Sequence, residues 1–140
     1  MRVAIICKRN FCPVKYIKWL KLAGIEPTVV FNFSDLSKLK TVDGILFSGG
    51  GDIKPYFFAQ KNIGNDFDVY RDVLELLVFK QHKNKAMLGI CRGAQIINVF
   101  YGGSVKDIDS SHFKVFHNLG KEQVFSVHLQ AIDVLSPEFK

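Results

Sequence analysis

Four short apolar runs alternate with longer segments of helical periodicity, and this alternation restricts the fold more than any other feature. The runs are RVAIIC (Arg2–Cys7), TVVF (Thr28–Phe31), GILFS (Gly44–Ser48) and AMLGI (Ala86–Ile90). RVAIIC is rich in β-branched residues with no polar alternation, as suits a strand buried on both faces. Between the runs, Pro13 can open a helix in which Val14, Ile17, Trp19, Leu20 and Leu22 recur at helical spacing, with Gly24 as its stop. Ser34 reads as the N-cap of a short helix ending at Lys40. From Asp66 to Lys80 the apolar positions Phe67, Val69, Val73, Leu74, Leu76, Leu77 and Phe79 predict an amphipathic helix. Arg92–Tyr101 forms another, ended by Gly102-Gly103. Residues 53–65 read as a loop, and a further strand is expected at Val124–Val127. The pattern predicts one α/β domain over residues 1–140 with a mainly parallel sheet. In such sheets ligands sit at the carboxyl ends of the strands. Two glycine-containing turns fall there, one after Ser48 and one around Cys91.

Composition narrows the function classes. The net charge is +6, from 19 Lys and Arg against 13 Asp and Glu, but the lysines are dispersed. With no dense basic run and no paired Cys/His ligands, solvated lysine is the favoured reading and no nucleic-acid partner is expected. Cys7, Cys12 and Cys91 are odd in number and lack framework spacing, which favours a reducing, cytoplasmic setting. VAIIC is too short for a signal-peptide core, and no segment approaches the length of a membrane span. No metal and no cofactor is expected.

Gly89-Ile90-Cys91-Arg92-Gly93 has the form G-x-nucleophile-x-G, with a strand before it and a helix after. Small residues on both sides allow a sharp turn that leaves the thiol clear at the top of the sheet. The helix starting at Arg92 aims unsatisfied N–H groups at the sulfur, which favours thiolate. The N–H of Arg92 can donate to a tetrahedral oxyanion. The competing reading is a small buried cysteine in a turn whose glycines only permit packing. Likewise Gly49-Gly50-Gly51-Asp52 is either a simple loop or a backbone cradle open to an oxyanion.

The stretches GILFSGGGDIKPYFF, DVYRDVLELLVF and MLGICRGAQIINVFYGGSVKDI resemble, in order and spacing, the class I glutamine amidotransferase superfamily. Within it the chain is similar to the γ-glutamyl-γ-aminobutyrate hydrolase-like branch. SVHLQAI (Ser126–Ile132) resembles that branch's S-x-H-H-Q-A stretch, with Leu129 in place of the second histidine. The resemblance implies a three-layer, flavodoxin-like sandwich, incomplete at its C-terminus. It implies a γ-glutamyl small-molecule substrate, with Cys91 attacking the amide and forming a γ-glutamyl thioester that water hydrolyses. Glutamate and an amine or ammonia are the products. Arg92 and the Gly49, Gly50, Gly51 stretch would supply the oxyanion hole, and Gln95, Ser126, Val127 and His128 would contact substrate. Asp68, Arg71, Asp72 and Glu75 match a family pattern, yet their types read as a solvated, salt-bridged helix face.

The family's general base is a histidine in a late H-P-E motif, and no such motif follows SVHLQAI here. Ser136-Pro137-Glu138 echoes it with serine in the histidine position. Of the four histidines, His82 closes the long helix, His112 and His117 lie in the stretch DSSHFKVFHNLG, and His128 is the internal candidate nearest Cys91 by alignment. Three expectations follow: a hydrolase shortened by loss of its last third, a fragment that acts with a complementing chain, or a binding domain that retains the thiol. A fourth alternative, a small stress protein or peptidase-like member of the cysteine-elbow group, would carry histidine where Arg92 stands. An exposed sheet edge also predicts self-association.

Overall fold

The computed structural model describes residues 1–54, 67–109, 111 and 113–139. The predicted 53–65 loop lies almost wholly outside these residues, as do Asp66, where the long helix was expected to begin, and His112. In chain order the elements are β1 (Arg2–Ile6), α1 (Val14–Leu22), β2 (Glu26–Val30), a 3₁₀ helix (Phe33–Thr41), β3 (Gly44–Phe47), α2 (Val69–His82), β4 (Ala86–Gly89), α3 (Arg92–Phe100), β5 (Val105–Asp107), β6 (Phe113–Leu119), β7 (Glu122–Val127) and β8 (Gln130–Ile132).

The first four strands form a parallel sheet in the order β2-β1-β3-β4, the doubly wound arrangement that the alternating pattern predicts. Successive residues of β1 face opposite sides. Ala4 and Ile6 join Ile45, Phe47, Leu74, Val78 and Ile96 in the larger core, beneath α2 and α3. Val3, Ile5 and Leu46 meet Leu20 of α1 on the other face. The result is three layers, helix on sheet on helix. Pro27, which has no N–H to donate, sits in β2 at the sheet edge, where a ladder bond can be spared. No helix among the described residues is long and apolar enough to cross a membrane.

Three details differ from the sequence reading. The Ser34–Lys40 segment is a 3₁₀ helix whose N-cap is Asn32, not Ser34; the Asp35 carboxylate accepts the Asn32 N–H at 3.1 Å and the Phe31 N–H at 3.3 Å. The long helix begins at Val69, because Asp68 caps it by accepting the Arg71 N–H at 3.0 Å. Beyond α3 the chain holds more structure than its pattern suggests. β5 and β8 pair antiparallel, and β6 and β7 form a hairpin closed by Gly120 at φ 63°. That hairpin leaves Phe116, Leu119 and Phe125 exposed, so neither strand carries the alternation that marks a half-buried strand. Phe116 and Phe125 instead pack against each other across it, tilted by 48° with ring centroids 4.7 Å apart.

Candidate active site

Cys91 joins β4 to α3 with φ 53° and ψ −115°. This is a left-handed conformation that an L-residue other than glycine adopts only under constraint. Its flanking glycines supply the constraint. A Cβ on Gly89 would strike the backbone of Gly93 and Ala94, and a Cβ on Gly93 would strike the Phe47 carbonyl at the end of β3. The chain can therefore reverse tightly enough to seat the start of α3 against the sheet, and Cys91 is left exposed at the apex. Arg92 is the first residue of α3, so its N–H is a donor for which the helix offers no intrahelical acceptor.

The glycine turn after β3 lies alongside. A Cβ on Gly49 would sit 3.6 Å from the Cys91 Cβ. The Gly49 N–H donates to the Tyr16 hydroxyl at 3.0 Å. Gly50, Gly51, Cys91, Gln95, Val127 and His128 line one cleft of about 160 Å³. Six sequence-nominated residues thus meet in one place. Ser126 does not face it: β7 turns alternate side chains to opposite sides, and the buried Ser126 hydroxyl lies 3.2 Å from His117 Nδ1.

The SVHLQAI segment is tied down by a residue the sequence reading left unused. Gln130 accepts the Ile53 N–H at 2.8 Å and donates to the Ile53 carbonyl at 3.2 Å, as a strand neighbour would. Its own carbonyl accepts from Gln95 Nε2 at 2.6 Å. One buried glutamine therefore joins the far side of the cleft to both the loop after the glycine turn and α3. It lay inside the quoted S-x-H-H-Q-A stretch, which was the signal for it. Tyr16 carried no such signal, because α1 packs on the other face of the sheet.

The expected solvated helix face is corrected at three of its four residues. Arg71, Asp72 and Glu75 are 3%, 0% and 0% exposed, and Arg92 is 2% exposed. Arg71 Nε donates to Glu75 at 2.8 Å, while Arg92 donates to the other Glu75 oxygen and to Asp72. Arg71 also donates through Nη2 to the Ser48 carbonyl at 2.7 Å and hydroxyl at 3.1 Å, and through Nη1 to the Gly49 carbonyl at 3.1 Å. Desolvation is tolerated because two cations and two anions neutralise one another and each guanidinium donates to a carboxylate. Burial would lower the Arg92 guanidinium, but Glu75 and Asp72 outweigh it and hold it above its ordinary range. Burial pushes the Asp72 carboxyl up, and Arg92 offsets this only in part. The sequence did hold a clue: Arg71 and Glu75 fall in the same helical stripe as Leu74, Val78 and Phe79.

The histidines separate clearly. His128 Nδ1 lies 3.0 Å from the Gln130 carbonyl. A carbonyl can only accept, so Nδ1 carries the proton and Nε2 of the neutral ring is an acceptor. His117 faces Ser126. His82 ends α2, where burial and then Lys85 lower its pKa. Ser136 is anchored at the other end of α3 from Cys91, its N–H donating to Asn98 at 2.8 Å and its hydroxyl to the Tyr101 carbonyl at 2.8 Å.

Comparison with known proteins follows the same lines. The family model described as Peptidase C26 matches residues 3–117. A Schizosaccharomyces pombe protein described as a glutamine amidotransferase is 30% identical over 132 residues, covering 90% of this chain and 47% of that protein. A glutamine amidotransferase-like protein of Lactococcus lactis is 35% identical over 85 residues, covering 56% of this chain and 36% of that protein. A glutamine-hydrolysing GMP synthase subunit from Pyrococcus furiosus is 27% identical over 135 residues, covering 86% of this chain and 64% of that protein. Among solved structures, a Thermoplasma acidophilum protein described as a GMP synthase subunit matches with a TM-score of 0.70 at 23% identity, over 100% of this chain and 70% of that one. The last likeness speaks for the fold. The chain spans about half the length of the curated relatives it matches.

Proposed function

The chain belongs to the Peptidase C26 family of the class I glutamine amidotransferase-like group, and from that premise we propose that it cleaves a γ-glutamyl amide through a thioester on Cys91. The carrying observation is the strained turn at Cys91, which presents an exposed thiol at the start of α3 and in one cleft with Gly50 and Gln95. The Cys91 sulfur attacks the γ-carbonyl, and the electron pair moves to oxygen. The Arg92 N–H and one amide of the glycine turn stabilise that oxyanion. The C–N bond then breaks, the amine leaves with a proton, and water hydrolyses the thioester to glutamate and free thiol.

Two groups can serve the proton transfers. His128 lines the cleft and holds Nε2 as an acceptor, which supports it as an internal base. The other reading is a histidine supplied by a complementing chain. It is supported by a relative named as a subunit, the glutamine-hydrolysing GMP synthase subunit of Pyrococcus furiosus.

A γ-glutamyl 4-nitrophenyl ester tests the nucleophile, because its leaving group needs no proton. Mass spectrometry should find a γ-glutamyl group on the Cys91 peptide, absent in Cys91→Ala. Absence of that adduct from the native chain, or its survival in the alanine variant, refutes the proposal. Ammonia release from glutamine, abolished by His128→Ala, would assign the base internally.

A further inference from the structure

We propose that Arg71 is a positioning residue that builds the oxyanion hole, by aiming the N–H of Gly50 into the Cys91 cleft; this rests on the reading of Cys91 as an acyl-transfer nucleophile. The argument starts with the peptide unit. In a trans peptide the carbonyl and the N–H that follows it point in opposite directions, and no cis peptide occurs among the described residues. Fixing one group therefore fixes the other.

Arg71 grips two successive carbonyls of the turn, Ser48 at 2.7 Å and Gly49 at 3.1 Å. The N–H paired with the Ser48 carbonyl belongs to Gly49, and it is taken by the Tyr16 hydroxyl at 3.0 Å on the opposite side. The N–H paired with the Gly49 carbonyl belongs to Gly50. It points away from Arg71, and Gly50 lines the cleft. Of the glycines nominated from sequence, Gly49 is thus engaged by Tyr16 and Gly50 becomes the donor. Glycine at position 50 is required for the grip itself, since a Cβ there would collide with Arg71 Nη1.

The second donor is tied to the same arginine. Glu75 accepts from Arg71 with one oxygen and from Arg92 with the other. One carboxylate thereby couples the glycine turn after β3 to the cysteine turn after β4. The amides of Gly50 and Arg92 come from separate strands, and the buried network holds them in register. Oxyanion stabilisation depends on such preorganised donors, and losing one costs about 10²–10³-fold in rate.

The test uses Arg71→Lys, which keeps the cation but cannot span Nε, Nη1 and Nη2 positions at once. Folding is checked by circular dichroism. Acylation of Cys91 by the γ-glutamyl 4-nitrophenyl ester should slow by at least about tenfold, with the half-saturating concentration little changed. Alkylation of Cys91 by iodoacetamide, which forms no oxyanion, should keep its rate. A second readout does not depend on chemistry: hydrogen exchange of the Gly49 amide, which the Tyr16 hydroxyl holds, should accelerate in Arg71→Lys. A folded Arg71→Lys with native acylation, or with native exchange at Gly49, overturns the proposal. If the native chain is never acylated, the nucleophile reading fails and the exchange experiment still decides the positioning. Should Arg71→Lys not fold, Glu75→Gln replaces it with the same expectations and the same refutation.

Discussion

Replacing Arg92 with methionine is the sharpest test of the buried network. Arg92 is 2% exposed, and the two carboxylates it neutralises, on Asp72 and Glu75, are both 0% exposed. Methionine fills part of the space but leaves Arg71 as the network's only cation, facing two anions. Breaking a buried ion pair from one side costs about 3–5 kcal/mol. That is a large part of the ~5–15 kcal/mol by which a domain is stable. The loss should also depend on pH. Burial already pushes the Asp72 carboxyl up, and Arg92 is what restrains it. Without Arg92 its folded pKa rises further above the unfolded value. A carboxyl raised in this way favours the fold most when protonated, below the unfolded pKa of about 4, and that advantage is lost as pH rises through the folded pKa. The deficit of Arg92→Met should therefore shrink as pH falls from 7 toward about 5. Adding Asp72→Asn should recover at least about 1 kcal/mol at pH 7 by removing the uncompensated charge, and should flatten the pH dependence. Urea unfolding followed by circular dichroism measures all of this. A deficit under about 1 kcal/mol, or one indifferent to pH and to Asp72→Asn, would refute the reasoning.

Two further predictions concern the cysteines. Cys91→Gly should be more stable than Cys91→Ala by about 1 kcal/mol, because strain of ~1–3 kcal/mol at a positive φ outweighs the chain entropy that glycine costs. Thermal melts of the pair measure the difference, and an alanine variant as stable as the glycine one would contradict the strained turn. Burial pushes the Cys7 thiol up to about 11. Its folded pKa is raised, so the stability it contributes is complete below the ordinary thiol range and is lost as pH rises toward about 11, about 3 kcal/mol in all. Cys7→Ala should remove that alkaline loss, and a thiol reagent at neutral pH should modify Cys12 and Cys91 while sparing Cys7. Prompt modification of Cys7 in the folded chain would count against it.

Much of this protein can be read from local pattern, because local pattern reports what a residue does within its own element. The parallel sheet follows from four apolar runs divided by helical segments, and the cysteine turn from two glycines around a strand-to-helix junction. Gly89 and Gly93 were legible for this reason: the need for small residues arises inside the turn itself. Of the β6–β7 hairpin only part of β7 was legible, since exposed phenylalanines at 116 and 125 break the alternation that marks a half-buried strand. The fate of Arg71, Asp72 and Glu75 was not legible. Their types suggest water, and only their placement beneath two converging turns supplies partners that outweigh desolvation. Tyr16 belongs to the same class, and so do the partners of Gln130, whose motif signals the residue and not what it holds. Tyr16 and Gln130 reach the glycine turn or the loop after it from a distant part of the chain, at 33 and 77 residues' separation. Residue order alone thus sets the layers, the thiol and the small residues that let the backbone bend around it. Which amide of the glycine turn faces the thiol is settled only on folding, because that depends on which carbonyls Arg71 holds, and a hydrogen bond between elements leaves no mark on the spacing within either one.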